Sequence, residues 1–169
     1  MFGSRILTAI AALALPALPA HAASPEGETF GDWRVACNEA GPGGELASCQ
    51  AYLSLVEEKT GMKALSVSFH VAQGAAQPTG VVVLPLGVAL RPGVQMRVGK
   101  QSRLVRLEPE VCYPDGCRAD FEVDPALQQE MTAAREFTVG FFAYTREDKP
   151  ASIAVSTKGL AAAIARLKR

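Results

Sequence analysis

"LSVSFHV", Leu65 to Val71, alternates apolar and polar side chains without a break, and the fold follows from how it is read. Successive side chains of a strand point to opposite faces, so Leu65, Val67, Phe69 and Val71 share one face and Ser66, Ser68 and His70 the other. That pattern describes a sheet with one buried side and one wet side. Flanking segments repeat it. Phe30 to Cys37 sets Trp33, Val35 and Cys37 on one side, and Ser48 to Val56 carries Tyr52, Leu53, Leu55 and Val56. Both are expected strands.

Gly80-Val81-Val82-Val83-Leu84 is apolar on both faces, as a strand in the middle of a sheet requires, and Pro85 ends its ladder by removing a donor. A turn at Arg91-Pro92-Gly93 opens a hairpin of Val94 to Val98 and Leu104 to Leu107 around Gly99-Lys100-Gln101-Ser102. Cys117 to Val123, Phe137 to Tyr144 and Ser152 to Ser156 bring the count to about eight or nine strands. Two segments are helical instead. Pro125 to Arg135 has an Asp124 cap with Pro at its first position, and Lys158 to Lys168 aligns Leu160, Ile164 and Leu167 on one stripe, with Ser156 or Thr157 as its cap. Many strands and two short helices predict a mainly β chain folded as an antiparallel β-sandwich.

The first 22 residues have the character of an export signal. Arg5 precedes an apolar run from Ile6 to Leu18, and Ala20-His21-Ala22 presents the small-x-small pattern of a signal-peptidase site, which places the cut between Ala22 and Ala23. The run is too short for a bilayer core, which needs about 20 residues of helix, so no stable membrane span is expected after the signal is removed. Residues 23–169 then suit a single domain. Cleavage removes Arg5 and no acid, leaving 16 basic against 17 acidic residues. Such a balance gathers neither nucleic acid nor anionic lipid. The basic residues Arg97, Lys100, Arg103 and Arg106 have Glu108 and Glu110 close behind them and are expected on a solvated hairpin face.

All four cysteines, Cys37, Cys49, Cys112 and Cys117, follow the signal, and an even count in an exported chain favours disulfides. Pro114-Asp115-Gly116 is turn chemistry that folds Cys112 back onto Cys117, which leaves Cys37 to pair with Cys49. Zinc does not suit the eleven residues between Cys37 and Cys49, and a dithiol catalyst presents Cys-x-x-Cys at a helix start. No metal is expected.

His21 leaves with the signal, so His70 is the one histidine of the mature chain. Ser68 and His70 lie two apart on one strand face, about 7 Å between Cα atoms, whereas a nucleophile and its base need about 3 Å between reacting atoms. Glu57 and Glu58 are adjacent, which on a strand sends them to opposite faces. Gly41-Pro42-Gly43-Gly44 lacks the Lys and Ser or Thr of a phosphate loop. The residues therefore predict no enzyme and no cofactor. Phe142 and Tyr144 share a strand face opposite Val139, Phe141 and Ala143, an aromatic surface available either to burial or to a partner.

Trp33-Arg34-Val35-Ala36-Cys37, "VVVLPLGVALRPGVQMRV", "CYPDGCRADFEV" and "VSTKGLAAAIARL", in this order and spacing, resemble the invasion-associated locus B family of bacterial exported proteins. The resemblance runs from about Phe30 to Leu167. It implies an immunoglobulin-like β-sandwich in the periplasm, at the cell surface or secreted, and it brings no catalytic residues. The expectation that follows is a noncatalytic envelope binding or accessory protein whose partner is another envelope protein or a host protein. Two alternatives stand beside it, a small-ligand carrier with a cavity between its sheets and a hydrolase using His70.

Overall fold

The computed structural model describes residues 27–38, 48–99, 103–107, 109 and 111–168. The export signal with its Ala22/Ala23 junction, the Gly41–Gly44 stretch and Lys100 lie outside the described residues. Five strands run in chain order as an antiparallel meander: β1 (Glu28–Phe30), β2 (Trp33–Asn38), β3 (Ser48–Val56), β4 (Lys63–His70) and β5 (Thr79–Leu84). The chain then crosses to a second sheet for the hairpin of β6 (Val94–Val98) and β7 (Arg103–Leu107). It returns to lay β8 (Val111–Tyr113) and β9 (Gly116–Glu122) beside β5. Helix α1 (Pro125–Ala133) leads back to β10 (Glu136–Ala143) and β11 (Arg146–Ser156), and α2 (Leu160–Leu167) ends the fold.

The result is a seven-stranded sheet, β1-β2-β3-β4-β5-β9-β8, facing a four-stranded sheet, β11-β10-β6-β7. The likeness to an immunoglobulin domain lies in this two-layer packing. Within those layers, β1 to β5 form a meander, and the chain crosses between the sheets to set β9 beside β5 and β10 beside β6.

One core fills the space between the layers. Trp33, Leu65, Val67, Phe69 and Ala119 from the large sheet meet Val94, Met96, Phe137 and Val139 from the small one, with Leu127 and Met131 of α1 closing one end. The alternation of "LSVSFHV" survives intact, with Leu65, Val67 and Phe69 buried and Ser66, Ser68 and His70 partly exposed. Along one inner row the register aligns Val35, Ala51, Phe69, Gly80 and Phe121, so large side chains alternate with small ones and interdigitate.

Helix α2 lies against β1, β2 and β3, burying Leu160, Ala163 and Ile164, and Arg166 donates to Glu28 at 2.8 Å. Its start is locked differently from the expectation. Gly159, at φ 90°, occupies the cap position, and neither Ser156 nor Thr157 caps the helix. The Ser156 hydroxyl donates to Asp32 at 2.6 Å and the Thr157 hydroxyl to the Ala134 carbonyl, so both side chains tie the segment to its neighbours. The indole of Trp33 adds a donor to the Ser156 carbonyl at 2.9 Å. Helix α1 starts as expected, with the Asp124 side chain accepting from Leu127 N at 2.7 Å and Pro125 in the first turn.

Glu57 and Glu58 lie beyond the end of β3, in the turn to β4, where Glu57 accepts from Thr60 at 2.6 Å, so they do not sit on opposite strand faces. The pairing of Phe142 with Tyr144 on one strand face also fails. A register shift between Phe142 and Ala143 breaks the alternation, and Tyr144 falls in the turn between β10 and β11. Among the described residues no helix is long and apolar enough to cross a membrane.

Candidate functional site

Both disulfides join residues directly opposite each other on adjacent antiparallel strands. Cys37 of β2 bonds Cys49 of β3 and Cys112 of β8 bonds Cys117 of β9, with Cα separations of 4.0 and 3.9 Å. The "CYPDGC" stretch is a hairpin in which Tyr113 pairs with Gly116 around Pro114 and Asp115. Gly116 is required there twice over. Its φ is 146°, and a Cβ would lie 2.3 Å from the Leu84 carbonyl oxygen. One cross-link thus pins the edge strand β8 to β9 and the other ties β2 to β3, and neither leaves a thiol for chemistry. Among the described residues no group of three or more His, Cys, Asp and Glu is placed to hold a metal ion.

The wet face of the large sheet is concave. Its register sets Arg34, Tyr52, Ser68, Val81 and Asp120 in one row, Ser54, Ser66, Val83 and Arg118 in the next, and Gln50 beside His70 in a third. Short serines over the centre and taller side chains at both sides leave a groove of about 500 Å³. Arg118 grips Asp120 with two parallel donations, Nε to Oδ1 at 2.6 Å and a terminal nitrogen to Oδ2 at 2.9 Å. That hydrogen bonding holds the Asp120 carboxyl below its ordinary range; burial opposes the shift, while the charge of Arg118 and the neighbouring His70 reinforce it. His70 stands between this groove and a second concavity of about 800 Å³ formed by the loop after β4 and the end of α2. Among the described residues no hydrogen bond joins His70 to Ser66 or Ser68.

A second surface lies at the crossover from β5 to β6. Val88 bridges to Ala143, Ala89 N donates to the Phe142 carbonyl and Tyr144 N to the Gly87 carbonyl, both at 2.8 Å, so loop and hairpin tip form one clasp. The clasp exposes large apolar side chains: Tyr144 is 72% exposed, Leu86 57% and Leu90 45%. Phe142 is partly buried beside them. Of the two aromatic residues singled out from the sequence, Tyr144 is the outward one. Leu86 and Leu90 are not legible as exposed in the sequence, because nothing in "LPLGVALRPG" distinguishes an exposed leucine from a core one.

The concavities described, of about 500, 800, 600 and 540 Å³, open on the outer sheet face, at the rim, beside α1 and at the clasp. None of these lies between the sheets. The molecule is a disulfide-stapled antiparallel β-sandwich, and these four recesses lie on its outside. The family model of the invasion associated locus B (IalB) proteins matches residues 33–168, and the chain belongs to that family. The crystal structure of invasion associated protein b from Bartonella henselae superposes with a TM-score of 0.73 at 19% identity, covering 84% of this chain and 94% of that one. At that identity the likeness shows the fold. No curated protein matches the chain significantly.

Proposed function

We propose that the chain is a noncatalytic binding protein of the bacterial envelope that meets a protein partner through the clasp carrying Leu86, Leu90 and Tyr144. The observation that carries this reading is the exposure of three large apolar side chains on a hydrogen-bonded, pre-shaped end of the sandwich. Burying such a patch gains the hydrophobic free energy that association requires, and a rigid loop loses little entropy in doing so. Buried apolar side chains of both sheets, among them Trp33, Phe69, Met96 and Phe137, occupy the space between the layers where the carrier reading needs a cavity, which favours the binding-protein reading. Two disulfides fit an oxidising compartment, and the export-signal pattern fits the periplasm as the first destination. Contact with host cells is proposed by analogy with the family's name alone. A deletion strain that enters host cells at the wild-type rate would remove that part.

A photo-crosslinking amino acid at Tyr144, expressed in intact cells, tests the main reading. The expected result is a discrete adduct that disappears when Leu86 and Leu90 are both changed to Ser. Absence of an adduct, or an adduct indifferent to those changes, overturns it.

A further inference from the structure

The groove on the outer face of the large sheet has a chemistry of its own, separate from the apolar clasp. Its floor is Ser66 and Ser68 with Val81 beside them, and Val81 is only 5% exposed although it points away from the core, because the walls cover it. Tyr52 and Gln50 rise on the β3 side, and Arg118 rises on the β9 side.

The lining narrows the class of ligand. Arg118, the one Lys or Arg among the described residues of the lining, is paired with Asp120, so the groove offers little charge to draw a phosphate-bearing or otherwise acidic polymer. Over the serine floor, β4 from Ser66 to His70 and β5 from Thr79 to Val83 are paired on both sides, so an extended peptide laid there finds no strand edge to join. What the face presents is serine hydroxyls, a carboxamide, an imidazole and a phenol ring, each pair of strands about 4.8 Å apart. Sugar hydroxyls donate and accept as serine hydroxyls do, and the C–H face of a sugar ring packs on an aromatic ring. A volume of about 500 Å³ is in the range of ligand sites and leaves room for a short oligosaccharide. We propose that this groove is a binding site for a neutral oligosaccharide, held over the serine floor with one ring against Tyr52.

The test uses the full exported protein on an array of neutral oligosaccharides, followed by NMR titration of the ¹⁵N-labelled protein with the strongest hit. The expected result is saturable shifts confined to amides of β3, β4, β5 and β9. Tyr52→Ala should weaken binding about tenfold, and Ser68→Phe, which fills the floor, should abolish it. If Ser68→Phe fails to fold, as Trp33 emission would reveal, Tyr52→Ala alone decides. Leu90→Ser and Tyr144→Ala at the clasp should leave the sugar affinity unchanged, so this proposal and the clasp reading fail separately. No hit on the array, shifts outside the groove, wild-type affinity in Tyr52→Ala, or saturable binding of peptides in place of sugars would each overturn it.

Discussion

Phe69 and Phe121 meet edge to face, 6.0 Å between ring centroids, across a position held by glycine. A Cβ on that residue, Gly80, would lie 2.1 Å from the tip of the Phe121 ring. The ring is packed in the core, 7% exposed, and has little room to retreat. Gly80→Ala should therefore destabilise the fold by about 1–3 kcal/mol, the usual cost of overpacking. Urea denaturation measures it, and adding Phe121→Leu should recover part of the loss. A neutral Gly80→Ala would mean that the ring has somewhere else to go.

Gly159 makes a tighter contact, with backbone. A Cβ there would lie 1.9 Å from the Phe30 carbonyl oxygen, and across the same junction a Cβ on Gly31 would lie 2.5 Å from the Lys158 carbonyl oxygen. Gly74 also has positive φ, at 79°, but nothing within 4 Å of its would-be Cβ. Alanine at either position incurs about 1–3 kcal/mol of backbone strain. The prediction is a clear difference between them: Gly159→Ala loses substantially more stability than Gly74→Ala. It should also loosen α2 and shift the emission of Trp33, the chain's one tryptophan, to longer wavelength. Equal losses at the two positions would show that close approach contributes nothing.

The two cross-links should differ in what their removal costs. They close loops with sequence separations of 12 and 5, for which the chain-entropy account gives about 3 and about 2 kcal/mol. Cys117 lies in the core and Cys37 and Cys49 pack against it, so burial touches both pairs and loop length is what separates them. The double variant Cys37→Ala/Cys49→Ala should accordingly lose more stability than Cys112→Ala/Cys117→Ala in matched urea melts. The reverse order would point to structure in the unfolded chain that the entropy account ignores.

These contacts separate what was legible in the sequence from what was not. Alternation, apolar runs and turn residues located β2 to β7, β9 and β10 to within a few residues, because a strand writes its environments into adjacent side chains. By contrast, β11 begins at Arg146, six residues before the expected Ser152. β1 and β8, three residues each, carry too few alternations to stand out; β8 is held by its disulfide and β1 by pairing with β2. The serine and histidine face of β4 was legible as wet. That it is a groove was not, since Arg118 and Asp120 reach it from β9 through a register that only the assembled sheet defines. The facing of Tyr144 was not legible because β10 ends at Ala143, after the pairing skips from Pro150 to Arg146, and Tyr144 falls in the turn where strand alternation no longer applies.

Asp120 offers a readout of the groove wall. Its carboxyl lies below the ordinary range chiefly because Arg118 donates to it, so the pair favours the ionised form in the folded state. A depressed folded-state value contributes stability that is present above the unfolded carboxylate value, near 3.8, and is lost as pH falls through the lower folded value. Side-chain exposures of 43% for Arg118 and 33% for Asp120 let solvent screen the pair, so the effect belongs with modest surface salt bridges. Wild type should lose slightly more stability than Asp120→Asn between pH 5 and pH 2, about 1 kcal/mol or less. Carboxyl NMR should find Asp120 titrating below its usual range in wild type and moving back up in Arg118→Gln. An Asp120 midpoint indifferent to Arg118→Gln would show that the pair does not persist in solution, and the β9 wall of the groove would lose its fixed shape.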